Sequence, residues 1–109
     1  MIALSEYGKR AYALAIYPRV NAYVYPALKL AGEAGEVAEK VGKSLRGDFS
    51  LDDPAVKEDL IKELGDVLWY VNALAMDLGS SLEEVADKNI TKLESRKARG
   101  VLQGSGDNR

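Results

Sequence analysis

The chain has 109 residues, 47% of them hydrophobic, with 15 Lys or Arg against 17 Asp or Glu and a net charge of −2. That fits one globular domain with a modest core, which association of copies would help, and it gives no global pull toward nucleic acid or anionic membrane. Cys and His are both absent, which excludes disulfides, thiolate or imidazole metal sites and a His general base, so any metal must take oxygen ligands, as Mg²⁺, Mn²⁺ or Ca²⁺ do.

In chain order, Leu4, Tyr7, Ala11, Leu14 and Ala15 recur at helical spacing and predict a first helix over Leu4–Ile16, ended by Pro18. A Tyr-rich connector follows, and Pro26 is placed to open a second helix running to Leu45. Its apolar stripe is Leu30, Ala34, Val37, Ala38, Val41 and Leu45. Gly47 can stop that helix, and Asp52 or Asp53 before Pro54 reads as the N-cap of a third. The third helix, Pro54–Leu78, carries a wide apolar face that suits a central position. Gly79 closes it, and Ser81-x-x-Glu84 is a capping box for a fourth helix that fades near Ala98. Residues 99–109, rich in glycine, read as a flexible tail after a single domain over 1–98. No strand alternation is sustained. The expected fold is all-α, an antiparallel bundle of about four helices completed by oligomerisation. The N-terminus carries charges at Glu6, Lys9 and Arg10 and is no signal peptide, and no stretch reaches membrane-spanning length, so a cytoplasmic location is expected.

Two acidic pairs stand out. "GEAGEVAEKVGK" places Glu33 and Glu36 three apart, and "KELGDVLWY" does the same with Glu63 and Asp66. Residues three apart share a helix face, where like charges repel. Each pair also encloses a glycine, Gly35 or Gly65, which weakens a helix by about 1 kcal/mol relative to Ala. One such pair alone is ordinary on a solvated face. Two pairs on successive helices, each with an internal glycine, fit a divalent-cation cradle, with the missing side chains leaving room for a helix or ligand.

Other side chains carry two readings each. Lys40 shares the face of Glu33 and Glu36, as a simple i,i+4 partner of Glu36 or as a substrate-binding cation. Asn89, Lys92 and Arg96 form one stripe on the fourth helix, either a solvated face or a polyphosphate contact. Tyr70 lies four after Asp66 and either stacks on a base or fills a gap, whereas Trp69 is a core residue by position. Tyr23 and Tyr25 are further stacking candidates. The terminal "GSGDNR" either wraps a phosphate with backbone N–H groups or is mobile; it is not a P-loop, since the Lys-Ser/Thr ending and preceding strand are missing.

The order Glu33-x-x-Glu36, a spacer of 26 residues, then Glu63-x-x-Asp66, within "LAGEAGEVAEKV" and "KELGDVLWYV", resembles the MazG-like nucleoside triphosphate pyrophosphohydrolases. The resemblance runs from about Leu28 to Arg96. It implies Mg²⁺-dependent (or Mn²⁺-dependent) cleavage of a nucleoside triphosphate at the α–β anhydride, giving the monophosphate and pyrophosphate. It makes Glu33, Glu36, Glu63 and Asp66 the metal ligands, and Glu33 the catalytic residue that orients or deprotonates water. It places Asn89, Lys92 and Arg96 at the phosphates and Tyr70 near base or sugar, and it implies a homodimer or homotetramer. Superfamily relatives also cleave alarmones and a phosphoribosyl-ATP compound, so related pyrophosphates are alternative substrates. A non-catalytic helical interaction module is the rival from another class.

Overall fold

A computed structural model describes the whole chain, residues 1–109. It contains helices and no strand: α1 (Leu4–Tyr12), α2 (Val24–Arg46), α3 (Pro54–Asp77) and α4 (Leu82–Ala98), with a 3-10 turn at Arg19–Asn21. The expected all-α bundle is what forms. α3 is its centre and packs against each of the other three helices, with α2 lying along it as a hairpin partner.

The local stop and start signals act as their chemistry requires. Gly47 takes a left-handed φ of 95° and ends α2. The Asp53 side chain accepts the Ala55 N–H at 2.9 Å, and Pro54 occupies the first position of α3. Ser81 accepts the Glu84 N–H at 3.1 Å to cap α4. The Glu84 carboxylate takes the Ser80 hydroxyl instead of reaching back to Ser81, so only half of the capping box closes.

Two boundaries differ from expectation. α2 starts at Val24, two residues before Pro26, which is tolerated because first-turn N–H groups need no helical acceptor. α1 ends at Tyr12, four residues before Ile16. The reason lies on α3. The Asp77 side chain, with no exposed surface, gathers the connector around itself. It accepts the Tyr12 hydroxyl at 2.6 Å, the Tyr17 hydroxyl at 2.9 Å, Arg19 Nη1 at 2.9 Å and the Tyr23 N–H at 3.1 Å. A helix continued to Ile16 could not bring both Tyr12 and Tyr17 to one carboxylate, because residues five apart point to different faces. Tyr23 adopts φ of 68°, a strained value for a bulky residue, in making its contact.

The core is small. Only 9 of 109 residues are buried, among them Ala11, Ala73, Ala75 and Leu82. Asn72, 1% exposed, donates its amide to the Gly8 carbonyl at 3.0 Å and ties α1 to α3. A Cβ on Gly8 would stand 3.1 Å from Asn72 Oδ1, so the glycine permits this approach. The broad apolar faces of α2 and α3 divide. Leu30, Val37 and Val41 of α2 and Leu60, Val67 and Leu74 of α3 are half-buried, whereas Ala34, Ala38, Leu45, Leu64, Leu68 and Leu78 are exposed. The radius of gyration is 16.6 Å, against about 13 Å for a compact domain of this length.

Asp77 supplies a pH prediction. Burial alone would raise its pKa; the hydrogen bonds from Tyr12, Tyr23, Arg19 and Tyr17 outweigh that and hold it at about 2. The unfolded value is about 3.9. A lowered carboxyl pKa contributes stability above the unfolded pKa that is lost as pH falls through the folded one. Asp77→Asn should therefore cost about 2 kcal/mol at neutral pH, and its penalty relative to wild type should shrink from about pH 4 to pH 2. Urea unfolding midpoints measured across that range check this.

Candidate functional site

α2 and α3 face each other with their acidic pairs at the contact. Leu30, Val37, Leu60 and Val67 are half-buried on these two packed helices, and the packing brings Glu33, Glu36 and Glu63 together. One carboxylate oxygen from each lies within 4.8 Å of the others. Glu33 and Glu63 are half-buried and Glu36 is exposed. Oε2 of Glu33 and Oε2 of Glu63 are closed off from solvent and have no hydrogen-bond partner. Buried acceptors are rarely left so, since each orphan carries its desolvation cost. An acidic, oxygen-only donor set with two unpaired oxygens fits a hard divalent cation.

Asp66 stands apart from that group. It is exposed, and its carboxylate does not belong to the three-oxygen cluster. Its charge is felt nearby: burial pushes the Tyr7 hydroxyl pKa up and Asp66 adds to the rise. Tyr70 is raised likewise, by burial first, then by Tyr25, Glu33 and Asp66. Tyr70 therefore stands beside both acidic pairs. It is one rung of an aromatic ladder: Tyr17 stacks on Tyr25 at 5.2 Å, Tyr25 meets Tyr70 edge-on at 6.3 Å, and Trp69 meets Tyr70 at 5.0 Å. Lys29 Nζ sits 6.0 Å from the Tyr70 ring centre. Tyr25 thus belongs to the ladder, while Tyr23 is half-exposed and serves the Asp77 cluster through its N–H. Trp69 is half-buried and, with Ile2, Tyr7 and Leu14, walls an open apolar groove instead of filling the core.

Lys40 does not pair with Glu36. Its ammonium crosses to α3, 3.5 Å from Glu63 Oε1 and 3.9 Å from Asp59 Oδ2. Asp59 was missed by the sequence reading, although it precedes Glu63 by four and so shares its face. The surrounding cleft, about 230 Å³, is lined only by charged residues: Glu36, Glu39, Lys40, Lys43 and Glu63. The glycines do not act as expected within the chain. A Cβ on Gly32, Gly35 or Gly65 would meet nothing within 4 Å, so no helix of the same chain approaches there.

The fourth-helix stripe lies elsewhere. Lys92 and Arg96 line a separate polar pocket between α4 and the C-terminal residues, which shares no lining residue with the acidic cleft. Asn89 is exposed and outside that lining.

The model of the MazG nucleotide pyrophosphohydrolase domain matches residues 26–101. The chain belongs to this family. The Gene 37 protein of Mycobacterium phage L5 is 48% identical over 101 residues, which cover 87% of this chain and 89% of that protein. No solved structure matches. The MazG match takes in both acidic pairs, Lys40, Tyr70 and the α4 stripe. It leaves out α1 and the last eight residues. No helix of this MazG chain is long and apolar enough to cross a membrane.

The charge balance of the cleft gives a test of sign. Glu36→Gln removes one repelling carboxylate and should raise the Tm of the metal-free protein. Lys40→Met removes the cation between Glu63 and Asp59 and should lower stability by about 0.5–1 kcal/mol, with the loss shrinking in high salt. Thermal melts of both variants at low and high ionic strength check the pair.

Proposed function

We propose that this chain hydrolyses nucleoside or deoxynucleoside triphosphates between the α- and β-phosphates in a Mg²⁺-dependent reaction, with Mn²⁺ as a substitute ion. One observation carries the reading: in a MazG-family chain, three carboxylates converge within 4.8 Å and two of their buried oxygens have no partner. Glu33, Glu36 and Glu63 would hold the ion, with Asp66, one helical turn on from Glu63, as the fourth ligand. When bound, Mg²⁺ supplies a Lewis-acid clamp on phosphoryl oxygens and offsets the charge that develops there.

The residues then divide the work. Glu33 orients water toward the α-phosphorus and accepts its proton as the water oxygen bonds to phosphorus. The bond from that phosphorus to the α–β bridging oxygen breaks, and pyrophosphate leaves with the electron pair. A carboxylate serves as base because the chain has no His. Lys40, held at Glu63, is placed to meet a phosphate oxygen at the cleft. Tyr70 offers a ring face or hydroxyl to base or sugar beside the acids. Lys92, Arg96 and Asn89 of α4 would meet the outer phosphates only of a substrate that reaches from the acidic cleft to the separate pocket lined by Lys92 and Arg96.

A homodimer or dimer of dimers is part of this proposal. Leu28, Ala31, Gly35, Ala38, Gly42 and Leu45 recur every three or four residues along the exposed side of α2, and Ile61, Leu64 and Leu68 continue the apolar surface on α3. A seam of small residues lets a second helix pack closely. A second copy there would bury this surface, wall the acidic cleft and bring an approaching backbone to the open glycines. An apolar surface of this kind is otherwise rare on a protein that works alone.

With Mg²⁺ and a panel of nucleoside triphosphates, the protein should release pyrophosphate. Chelation should abolish release, and Glu33→Gln should lower it by at least about 100-fold, with Asp66→Asn similarly disabled. Turnover that survives both substitutions, or that needs no metal, rejects the reading. Including alarmone and phosphoribosyl-ATP type compounds in the panel separates the substrate classes.

Sedimentation should give a mass of two or four chains, and Leu64→Asp should shift it toward one.

A further inference from the structure

Every hydrogen-bond partner of the Asp77 side chain precedes the matched region of residues 26–101: Tyr12, Tyr17, Arg19 and Tyr23. The family match therefore does not account for this cluster. The two carboxylate oxygens serve different parts of the chain. Oδ1 accepts the Tyr12 hydroxyl and Arg19 Nη1, toward α1. Oδ2 accepts the Tyr17 hydroxyl at 2.9 Å and the Tyr23 N–H at 3.1 Å, where the chain turns into α2. The Oδ2 side also carries the strain, since Tyr23 keeps its φ of 68° immediately before α2 begins. Such a conformation persists only where the surrounding contacts over-determine it, and such conformations cluster at functional sites.

Tyr17 joins this cluster to the acidic cleft. It is buried, with its hydroxyl on Asp77 and its ring stacked on Tyr25 at 5.2 Å, the two planes 30° apart. The Arg19 guanidinium lies over the same ring at 4.8 Å. Tyr25, in the first turn of α2, meets the Tyr70 ring at 6.3 Å. Tyr70 follows Asp66 by four residues and Glu63 by seven, which puts it on the face of α3 that bears those acids. Trp69 at 5.0 Å and Lys29 at 6.0 Å complete the surroundings of its ring. The charges of Glu33 and Asp66 both act on the Tyr70 hydroxyl, in keeping with that placement.

Neither Tyr25 nor Tyr70 is fixed by burial alone: Tyr25 is 38% exposed and Tyr70 half-buried. A side chain free to change rotamer loses that freedom when a ligand orders it, and holding it beforehand removes the cost. The fixed end of the ladder is Tyr17, tied to a carboxylate with no exposed surface. Asp77 does not reach the acids itself. It follows Asp66 by eleven residues, about 16 Å along the axis of α3. We propose that Asp77 is a positioning residue for the acidic cleft: through the Tyr17 hydroxyl it fixes the Tyr17–Tyr25–Tyr70 ladder and so presets the Tyr70 ring for the nucleoside part of the substrate. The contact of Tyr70 with substrate rests on the pyrophosphohydrolase reading. The coupling of Asp77 to Tyr70 does not.

Two readouts on the full chain test this, at a temperature where every variant is folded. In NMR spectra of protein with isotope-labelled tyrosine rings, Tyr17→Phe and Asp77→Asn should move the Tyr70 ring signals toward those of a free tyrosine. Tyr12→Phe removes a hydrogen bond to the same carboxylate but no rung of the ladder, and should leave them in place. In steady-state hydrolysis of a nucleoside triphosphate with Mg²⁺, Tyr17→Phe and Asp77→Asn should raise KM about three- to tenfold with kcat within about twofold of wild type. Tyr12→Phe should change neither. A chain that is merely destabilised loses active molecules, which lowers kcat and not KM. The proposal is overturned if Tyr17→Phe leaves either the Tyr70 signals or KM as in wild type, or if Tyr12→Phe moves them equally. A chain that turns over no nucleotide, yet whose Tyr70 signals move in Tyr17→Phe and not in Tyr12→Phe, keeps the coupling and loses the hydrolase reading; one that turns over nucleotide with KM unmoved in Tyr17→Phe does the reverse.

Discussion

Carboxylates caught between two packed helices set the terms for this molecule. α2 and α3 pack along each other with Leu30, Val37, Leu60 and Val67 only half-buried, while the fully buried residues lie mainly on α1, the C-terminal half of α3 and α4. The packing of α2 on α3 also drives Glu33 and Glu36 toward Glu63. At an effective dielectric of about 20, two unit charges at the cluster's 4.8 Å limit repel by roughly 3 kcal/mol. Lys40 is the one cation that reaches across to this group, and it divides itself between Glu63 and Asp59. The hairpin thus closes over an electrostatic deficit that apolar packing must carry.

α3 also holds the contrasting case. The Asp77 side chain is fully covered, and four donors, Tyr12 at the end of α1 and Tyr17, Arg19 and Tyr23 of the α1–α2 connector, satisfy it. Burial would raise its pKa, but the hydrogen bonds from Tyr12, Tyr23, Arg19 and Tyr17 outweigh that and hold it at about 2. Glu63, nearly four turns earlier on the same helix, keeps an oxygen buried with no partner. One helix therefore bears a carboxylate finished as a structural knot and another left unfinished. The difference separates an acid that orders the connector from an acid available to a ligand, and it is why the acidic cleft, not the tighter Asp77 cluster, is the candidate site.

The signals that survived translation from sequence to structure are the short-range ones. Asp53, Ser81 and Gly47 act on groups within five residues, so their chemistry is complete in the local string. The acidic pairs were legible only in part: three-residue spacing fixes a shared face, but it could not show that Asp66 stays outside the cluster of Glu33, Glu36 and Glu63, or that the glycines face nothing within the chain. What could not be read depends on partners far away in the chain. The early end of α1 follows from Asp77, 60 or more residues distant. Lys40 choosing α3 over its i,i+4 neighbour depends on how two helices meet, which no single-helix periodicity encodes. The split of the apolar stripes has the same origin: α3 has more apolar surface than one chain can cover, so a face that reads as core is left outside.

Charge on α4 obeys a different rule from charge in the cleft. Lys92 and Arg96 already have an anion, but one delivered by a short glycine-hinged loop and facing solvent. Arg96 lies in the last turn of α4, where a cation complements the helix dipole, which explains its place there but not its burial or its unused Nε. A permanent structural pair would be expected to satisfy the buried guanidinium before the exposed ammonium. Here the carboxylate lies nearer the ammonium, at 3.1 Å against 3.4 Å. The two clusters are therefore electrostatic opposites: a cleft of acids with two buried oxygens lacking a partner, and a group of cations paired with one exposed carboxylate.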